Sequence, residues 1–322
     1  MSDPKARDLF QAIWKREASS VRSILKARPD LVDAWLTSDS WPNEFSGEAW
    51  EARGFEALRG LDPLACASVL GAADCVDALI AAGAAVESVS YGADMGWCTP
   101  LVQAAFQNKE EVLFSLLRHG ANPNVMGSAG STALMTAAGH GRIAMVDALL
   151  AAGAEMTIHV AAALGDLQEI DRFLAESTAW LEAKDSYRKA TPLYHAAGAN
   201  QVEVVKALAA RGADIEAPDQ FLQKPGWTPL FRASFGAYID VVFALVDLGA
   251  DVNYVSPNAR WKRPAGTTVL HAACYESGTT PEVIGALLRN GADTRLTDSE
   301  GRRPVDVARD HSRDDLVEVL DA

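Results

Sequence analysis

The sequence lacks any apolar run long enough to cross a membrane. A transmembrane helix needs roughly 18 to 20 mostly apolar residues in succession, and no stretch of the 322-residue chain approaches that length. The charged N-terminal segment MSDPKARDLF also lacks the apolar core of a secretory signal peptide. We therefore expect a soluble, cytoplasmic protein with no membrane partner.

Basic residues are scarce relative to acidic ones. Lys and Arg number 29 against 43 Asp and Glu, which gives a net charge of −14 at pH 7. Because phosphate backbones favour basic surfaces, this balance argues against nucleic acid, and we expect no nucleic-acid partner. The acidic balance is compatible with a basic protein partner, although solubility alone is the simpler explanation and the one we favour.

Motifs for metal, redox and catalytic chemistry are missing. The four cysteines Cys66, Cys75, Cys98 and Cys274 form no CxxC pair, and Cys75 and Cys274 occupy apolar helix positions typical of reduced core thiols. The chain has no HExxH, GxSxG, P-loop or strand-to-helix GxGxxG motif. We predict no cofactor and no metal. An active site assembled from several loops needs no linear motif, so catalysis itself stays open.

Internal repetition is what the sequence has in abundance. The pattern TPLxxAA, followed by a polar break, an apolar helix and GADxN, recurs along most of the chain. Thr favours the N-cap of a helix, Pro its first position, and Gly the left-handed residue after its end. Each copy therefore predicts a pair of helices. The copies begin at Thr99, Thr132, Thr191, Thr228 and Thr268, with weaker ones at Asp62 and Arg303.

These copies resemble the ankyrin repeat over nearly the whole chain. The resemblance implies an all-α solenoid of stacked antiparallel helix pairs with projecting loops or β-hairpins, about nine units including caps. Ala-rich helices and divergent units favour a bacterial member of the family, and we expect a monomer. The expected order is an N-terminal capping repeat at 1–33, an aromatic-rich insertion at 34–61, a first block of repeats at 62–155, and a second block with a C-terminal cap at 156–322, all in one continuous solenoid.

Two segments of the chain predict a special, first-unit type of repeat. The sequence from Leu9 aligns without a gap to the sequence from Ile158. The repeat starting at position 156 follows the one at 132 after far fewer residues than the usual period of about 33. We interpret this as tandem duplication of a four-unit block, with chance likeness among divergent repeats as the alternative. The shortened connection predicts a notch or bend in the concave face near Met156.

The histidines fit structural positions of the repeat. His159 and His271 occupy the position at which, in the family, the side chain usually bonds to loop backbone. His140 lies in the turn between two helices, and His195 stands one residue beyond the family's histidine position. We expect structural or surface roles for them.

Aromatic residues provide the candidate binding site. The resemblance implies that the hairpin loops and the residues after the small Ala pair line the concave binding face. The loops before Thr99, Thr228 and Thr268 are longer than usual. Trp, Tyr and Arg are common interface anchors, although a given ring could instead pack loop against loop. The candidate residues are Tyr91, Trp97, Phe106, Phe221, Trp227, Arg232, Phe235, Tyr254, Trp261 and Tyr275.

Two functions are compatible with these features. The first is a protein–protein interaction scaffold that binds a partner protein or peptide through the concave face and the long aromatic loops. The second is a small-molecule-binding protein or atypical enzyme, with a pocket formed by those loops and the 34–61 insertion. The resemblance and the missing catalytic motifs favour the first function. A mere spacer would have no need of the aromatic loops.

Overall fold

The fold consists of short helices joined in pairs. The computed structural model describes residues 4–34, 61–92, 96–127, 130–186, 188–220, 226–259, 263–275 and 278–321, and the predicted all-α repeat architecture is confirmed in these residues. Their contacts divide into two compact units, Met1–Glu155 and Met156–Ala322, here called unit 1 and unit 2. None of the helices described has the length and apolarity needed to cross a membrane.

Unit 1 contains four helix pairs in its described residues. The first helices of successive pairs pack on one another, and so do the second helices, so that two helical layers enclose the apolar core. The helices are α1 (Pro4–Trp14), α2 (Ala18–Ala27), α3 (Pro63–Leu70), α4 (Ala73–Ala81), α5 (Pro100–Phe106), α6 (Glu110–Arg118), α7 (Ala133–Gly139) and α8 (Ile143–Ala151).

Unit 2 contains five helix pairs and has its own core. Its buried apolar cluster draws its members from Ile158 to Leu320, and its first helices stack in sequence from α9 to α17. The helices are α9 (Ile158–Leu164), α10 (Leu167–Glu176), α11 (Pro192–Gly198), α12 (Val202–Ala210), α13 (Pro229–Phe235), α14 (Ile239–Asp247), α15 (Val269–Tyr275), α16 (Pro281–Arg289), α17 (Pro304–Asp310) and α18 (Asp314–Leu320).

The predicted helix caps are confirmed. The Thr228 hydroxyl accepts a hydrogen bond from the Phe231 amide, and Thr99, Thr132 and Thr191 cap their helices in the same way. The glycines that follow the second helices, among them Gly249 with a φ of 90°, adopt the left-handed conformation. These caps place the start and the end of each helix pair at fixed positions of the repeat.

The repeat at the start of unit 2 departs from its predicted register by one residue. The N-cap is Thr157, whose hydroxyl accepts from the Val160 amide, rather than Met156. The reason is chemical, because a hydroxyl can accept this hydrogen bond and a methionine side chain cannot do so well. The predicted notch or bend near Met156 stays a prediction.

The two first-unit segments fold alike. A five-residue 3₁₀ helix, Pro29–Asp33, follows α2, and a matching one, Thr178–Glu182, follows α10. Arg16 and Gly165, which precede these second helices, both have positive φ. Each of these features in the second segment lies the same number of residues after its counterpart in the first segment. Duplication of the whole block remains an interpretation.

Hairpins connect some of the repeats. The strands β1 (Ser90–Gly92) and β2 (Gly96–Cys98) pair antiparallel before α5, and Val255 forms an antiparallel bridge with Thr268 before α15. Nearly all of the predicted 34–61 insertion lies outside the described residues, and so does the part of the second functional hypothesis that depends on it.

Candidate functional site

Five side chains from the third and fourth helix pairs of unit 2 and the segments that precede them form a stack. The rings of Trp227 and Phe231 are stacked with their centroids 5.0 Å apart, and the rings of Trp227 and Phe235 lie 4.7 Å apart. The guanidinium carbon of Arg263 lies 4.3 Å from the ring centroid of Phe235 and 4.7 Å from that of Tyr275. Distances of this kind are favourable for aromatic and cation–π attraction. We call these five residues the aromatic–arginine stack.

Repeat geometry brings the stack together. Phe235 is the last residue of α13, and Tyr275 is the last residue of α15, one repeat further on. Each follows a buried pair of small residues, which lets successive first helices approach closely. The two rings therefore occupy equivalent positions on neighbouring repeats. Arg263 comes from the hairpin between α14 and α15 and places its guanidinium between them.

Trp227 supports the stack from within the core. Its side chain is only 2% exposed, so the prediction that its ring lines an open surface needs correction. The Trp227 amide donates to the Asp219 carboxylate at 2.8 Å, and the Trp227 carbonyl accepts from the Asp219 amide at 3.0 Å. These bonds fix the backbone so that the ring points inward and stacks on Phe231.

Tyr254 and Arg232 flank the stack. The Tyr254 hydroxyl donates to the Gly226 carbonyl at 2.7 Å, and its ring meets Phe231 edge-on. Burial raises the pKa of Tyr254, which keeps the phenol protonated at neutral pH. Arg232 donates to the Gly198 carbonyl at 3.3 Å, and its guanidinium carbon lies 5.8 Å from the Phe235 ring centroid.

A charged network borders Tyr275. Arg302 donates to the Tyr275 hydroxyl oxygen at 2.7 Å and forms ion pairs with Asp298, Glu300 and Asp310. The Asp298 carboxylate is buried, whereas those of Glu300 and Asp310 are 61% and 57% exposed. Two solvent-accessible carboxylates therefore lie against Arg302, which contacts the Tyr275 end of the stack.

The remaining candidate residues are distributed as follows. Phe106 lies in unit 1, half-buried, with its ring edge-on to His140 at 6.1 Å. The backbones of Tyr91 and Trp97 pair across the hairpin of β1 and β2, but their side chains lie outside the described part of the structure. Phe221 and Trp261 also lie outside it. The structure thus brings together Trp227, Arg232, Phe235, Tyr254 and Tyr275.

A cavity of about 470 Å³ lies elsewhere, in unit 1, among the turns that join its helices. Its lining includes Arg16, Gly71, Asn108 and Lys109 and contains none of the candidate residues. Within the described ranges, no group of three or more His, Cys, Asp or Glu side chains is arranged to hold a metal ion.

The histidines predicted to bond to loop backbone do so. His159 Nε2 lies 2.9 Å from the Ala183 carbonyl oxygen, and His271 Nε2 lies 2.9 Å from that of Arg302. His195 differs, because its Nε2 lies 2.5 Å from the buried Asp185 carboxylate. All three histidines tie a first helix to a neighbouring loop, which confirms structural contacts for them.

Comparisons with known proteins agree with this architecture. The family described as ankyrin repeats in three copies matches residues 64–159 and 158–256, which is more than half of the chain. The chain therefore belongs to the ankyrin repeat family. It is similar to ankyrin repeat protein nuc-2 of Neurospora crassa, with 31% identity over 190 residues, which are 55% of this chain and 18% of that protein. The chain thus spans about a fifth of this relative's length.

Sequence reasoning missed four members or neighbours of the site, namely Phe231, Arg263, Arg302 and His311. His311 meets the Tyr275 ring edge-on at 5.1 Å. The available signal for Arg263 was a basic residue in the longest of the extended loops, directly before a repeat whose first helix ends in an aromatic residue.

Proposed function

We propose that this protein is a protein–protein interaction module whose partner, a protein or peptide, binds the face of unit 2 that carries the aromatic–arginine stack. Ankyrin repeats generally mediate protein–protein interaction. The assignment of the binding surface to this face rests on five candidate residues that lie in one cluster.

The observation that supports this surface most strongly is the position of Phe235, Arg263 and Tyr275. All three side chains are half-buried, so each combines firm packing on one side with an accessible side. Aromatic residues and arginine are enriched at protein interfaces, and such partly buried anchors contribute most of the binding energy. A buried ring such as Trp227 holds the others in place without itself touching the partner.

Charge favours a basic partner. The whole chain carries a net charge of −14, and the exposed carboxylates of Glu300 and Asp310 lie next to Tyr275 through Arg302. An acidic field steers basic partners toward the surface and raises their association rate.

The first prediction concerns capture of the partner from an extract of the cells that make the protein. The double variant F235A/Y275A is expected to lose at least one protein that the natural chain retains in stoichiometric amount. Each substitution removes a ring, which weakens binding by about 2 kcal/mol, or about thirtyfold in Kd, when the ring is an anchor. Quantitative mass spectrometry of the retained proteins measures the loss.

The matched control is E203A/K206A, which removes an exposed ion pair from helix α12. This variant should retain the same protein, because these side chains lie on a second helix and not in the stack. Equal retention by all three proteins, or absence of any stoichiometric partner, would contradict the proposed function. Circular dichroism of each variant establishes that its helices are intact.

A further inference from the structure

The space between Phe235 and Tyr275 is shaped for a cation. Two rings on neighbouring repeats face the same guanidinium, with its carbon 4.3 Å from one centroid and 4.7 Å from the other. Aromatic faces attract Arg and Lys side chains through the ring quadrupole, and the attraction is strongest when the cation is partly desolvated. In the described structure the cation is Arg263, which belongs to the chain itself.

Arg263 reaches this slot from a hairpin rather than from either helix. The hairpin is closed by the bridge of Val255 with Thr268, and Ser256 exchanges backbone bonds with Thr267 and Gly266. A hairpin residue can leave the slot without unstacking α13 from α15, because the helices pack through their small residues and the buried core. The slot itself therefore does not depend on the presence of Arg263.

The three carboxylates near Tyr275 carry more negative charge than Arg302 alone neutralises. Arg302, which donates to the Tyr275 hydroxyl oxygen, is paired with three carboxylates, of which Glu300 and Asp310 remain well exposed. A cation that approaches from solvent is therefore attracted by two accessible carboxylates near Tyr275 as well as by the two rings. Neutral or acidic side chains would gain much less there.

We propose that the slot between Phe235 and Tyr275 is a binding site for an arginine or lysine side chain of a basic peptide, and that Arg263 occupies it as an internal competitor. The inference rests on the proposed function and adds to it the chemical class of the partner and a mode of self-occlusion. Binding then exchanges Arg263 for the partner's cation.

The test uses the full-length protein and a fluorescently labelled peptide of alternating arginine and serine. The control peptide carries citrulline in place of arginine, which keeps the shape and removes the charge. The natural chain should bind the arginine peptide weakly and the citrulline peptide hardly at all. The variant R263A should bind the arginine peptide about threefold to tenfold more tightly, because the competitor is gone.

Further variants separate the slot from general electrostatics. R263A/F235L/Y275L keeps apolar bulk but lacks both rings, and it should lose the gain completely. R263K keeps a cation in the hairpin with weaker ring contact, so its affinity should fall between those of the natural chain and R263A. Circular dichroism and thermal unfolding are recorded for each variant.

Three results would overturn the proposal. They are unchanged or weaker binding by R263A, equal binding of the citrulline peptide, and preference for a peptide of alternating glutamate and serine. If these results occur while F235A/Y275A still loses its captured partner, the cation slot is wrong and the proposed interaction surface stands. If that capture is also unaffected, the proposed function fails as well.

Discussion

At the scale of single residues, burial decides the chemistry of the titratable groups. All four cysteines are free and buried, and burial raises the pKa of Cys66 and of Cys274 to about 12, so these thiols remain protonated and unreactive in the folded protein. For His159, burial and the neighbouring His195 lower the pKa to about 4. Burial alone would raise the pKa of Asp185, but the hydrogen bond and charge of His195 outweigh it and bring the pKa to about 2.

His159 gives a prediction for stability against pH. The folded-state pKa of about 4 lies below the ordinary value of 6.5, so protons bind the unfolded chain more readily than the folded one. The stabilisation from neutral His159 is complete above pH 6.5 and is lost as the pH falls from 6.5 toward 4. The shift corresponds to about 3 kcal/mol in the free energy of unfolding. The Asp185 carboxyl titrates below this window.

Denaturant unfolding at several pH values between neutral and about 4 measures this loss. The variant H159Q keeps an N–H that can donate to Ala183 but cannot be protonated, so its free energy of unfolding should fall less steeply over the window. The control H311Q, at an exposed histidine, should keep the steep fall. If the free energy of unfolding of H159Q falls with pH as steeply as that of the natural chain, His159 does not cause the loss of stability.

The role of a residue could be predicted from sequence where its position in the repeat requires one specific interaction, such as a helix cap. The caps at Thr99 and Thr228, and the backbone bonds of His159 and His271, follow from the repeated pattern. The burial of Trp227 was not predictable, because the sequence shows only that a Trp precedes the repeat. Its inward orientation depends on the backbone bonds to Asp219, which the linear pattern does not contain.

At the scale of elements, side chains in the segment after one helix pair form hydrogen bonds with the backbone of the corresponding segment after the next helix pair. The Glu182 carboxylate accepts from the Asp214 amide, and the Glu216 carboxylate accepts from the Asp251 amide, each at 2.7 Å. Asn253 makes two such bonds, accepting from the Asp293 amide and donating to the Gly291 carbonyl, each at 2.8 Å. These bonds form a ladder that connects successive repeats independently of the apolar core.

The ladder predicts a measurable coupling at Asn253. The substitution N253A removes both bonds and leaves the two backbone groups to find water. We expect it to lower the free energy of unfolding by about 1 to 2 kcal/mol. Denaturant unfolding followed by circular dichroism measures this change.

The control for this prediction is K206A, a change on the exposed surface of α12, which should alter the free energy of unfolding by no more than about 0.5 kcal/mol. An N253A variant as stable as K206A would show that the ladder contributes nothing beyond what water provides.

The helix pairs were predictable from sequence, whereas the hairpin contacts were not. Periodic apolar residues, Thr caps and Gly ends define each pair locally. The position of Arg263 between Phe235 and Tyr275 depends on the path of an extended loop and on two rings distant from each other in sequence. The shift of the cap from Met156 to Thr157 has a similar cause, since the two residues are adjacent and the pattern alone fits either.

At the scale of the whole molecule, the chain consists of two compact units, and the candidate site lies within the second. The division falls between Glu155 and Met156, and the second family match begins at residue 158. Unit 2 has a core of its own, and its third and fourth helix pairs carry the aromatic–arginine stack. The described residues of the proposed binding surface all belong to unit 2.

The most direct test of the account is site-specific photo-crosslinking from the stack in the full-length protein. A photoreactive phenylalanine analogue replaces Tyr275 in one variant and Lys206, on the exposed surface of α12, in another. Irradiation in an extract of the source cells should give a discrete protein adduct from position 275 and none from position 206. An adduct from position 206 alone, or none from either position, would contradict the claim that a protein partner binds at the aromatic–arginine stack.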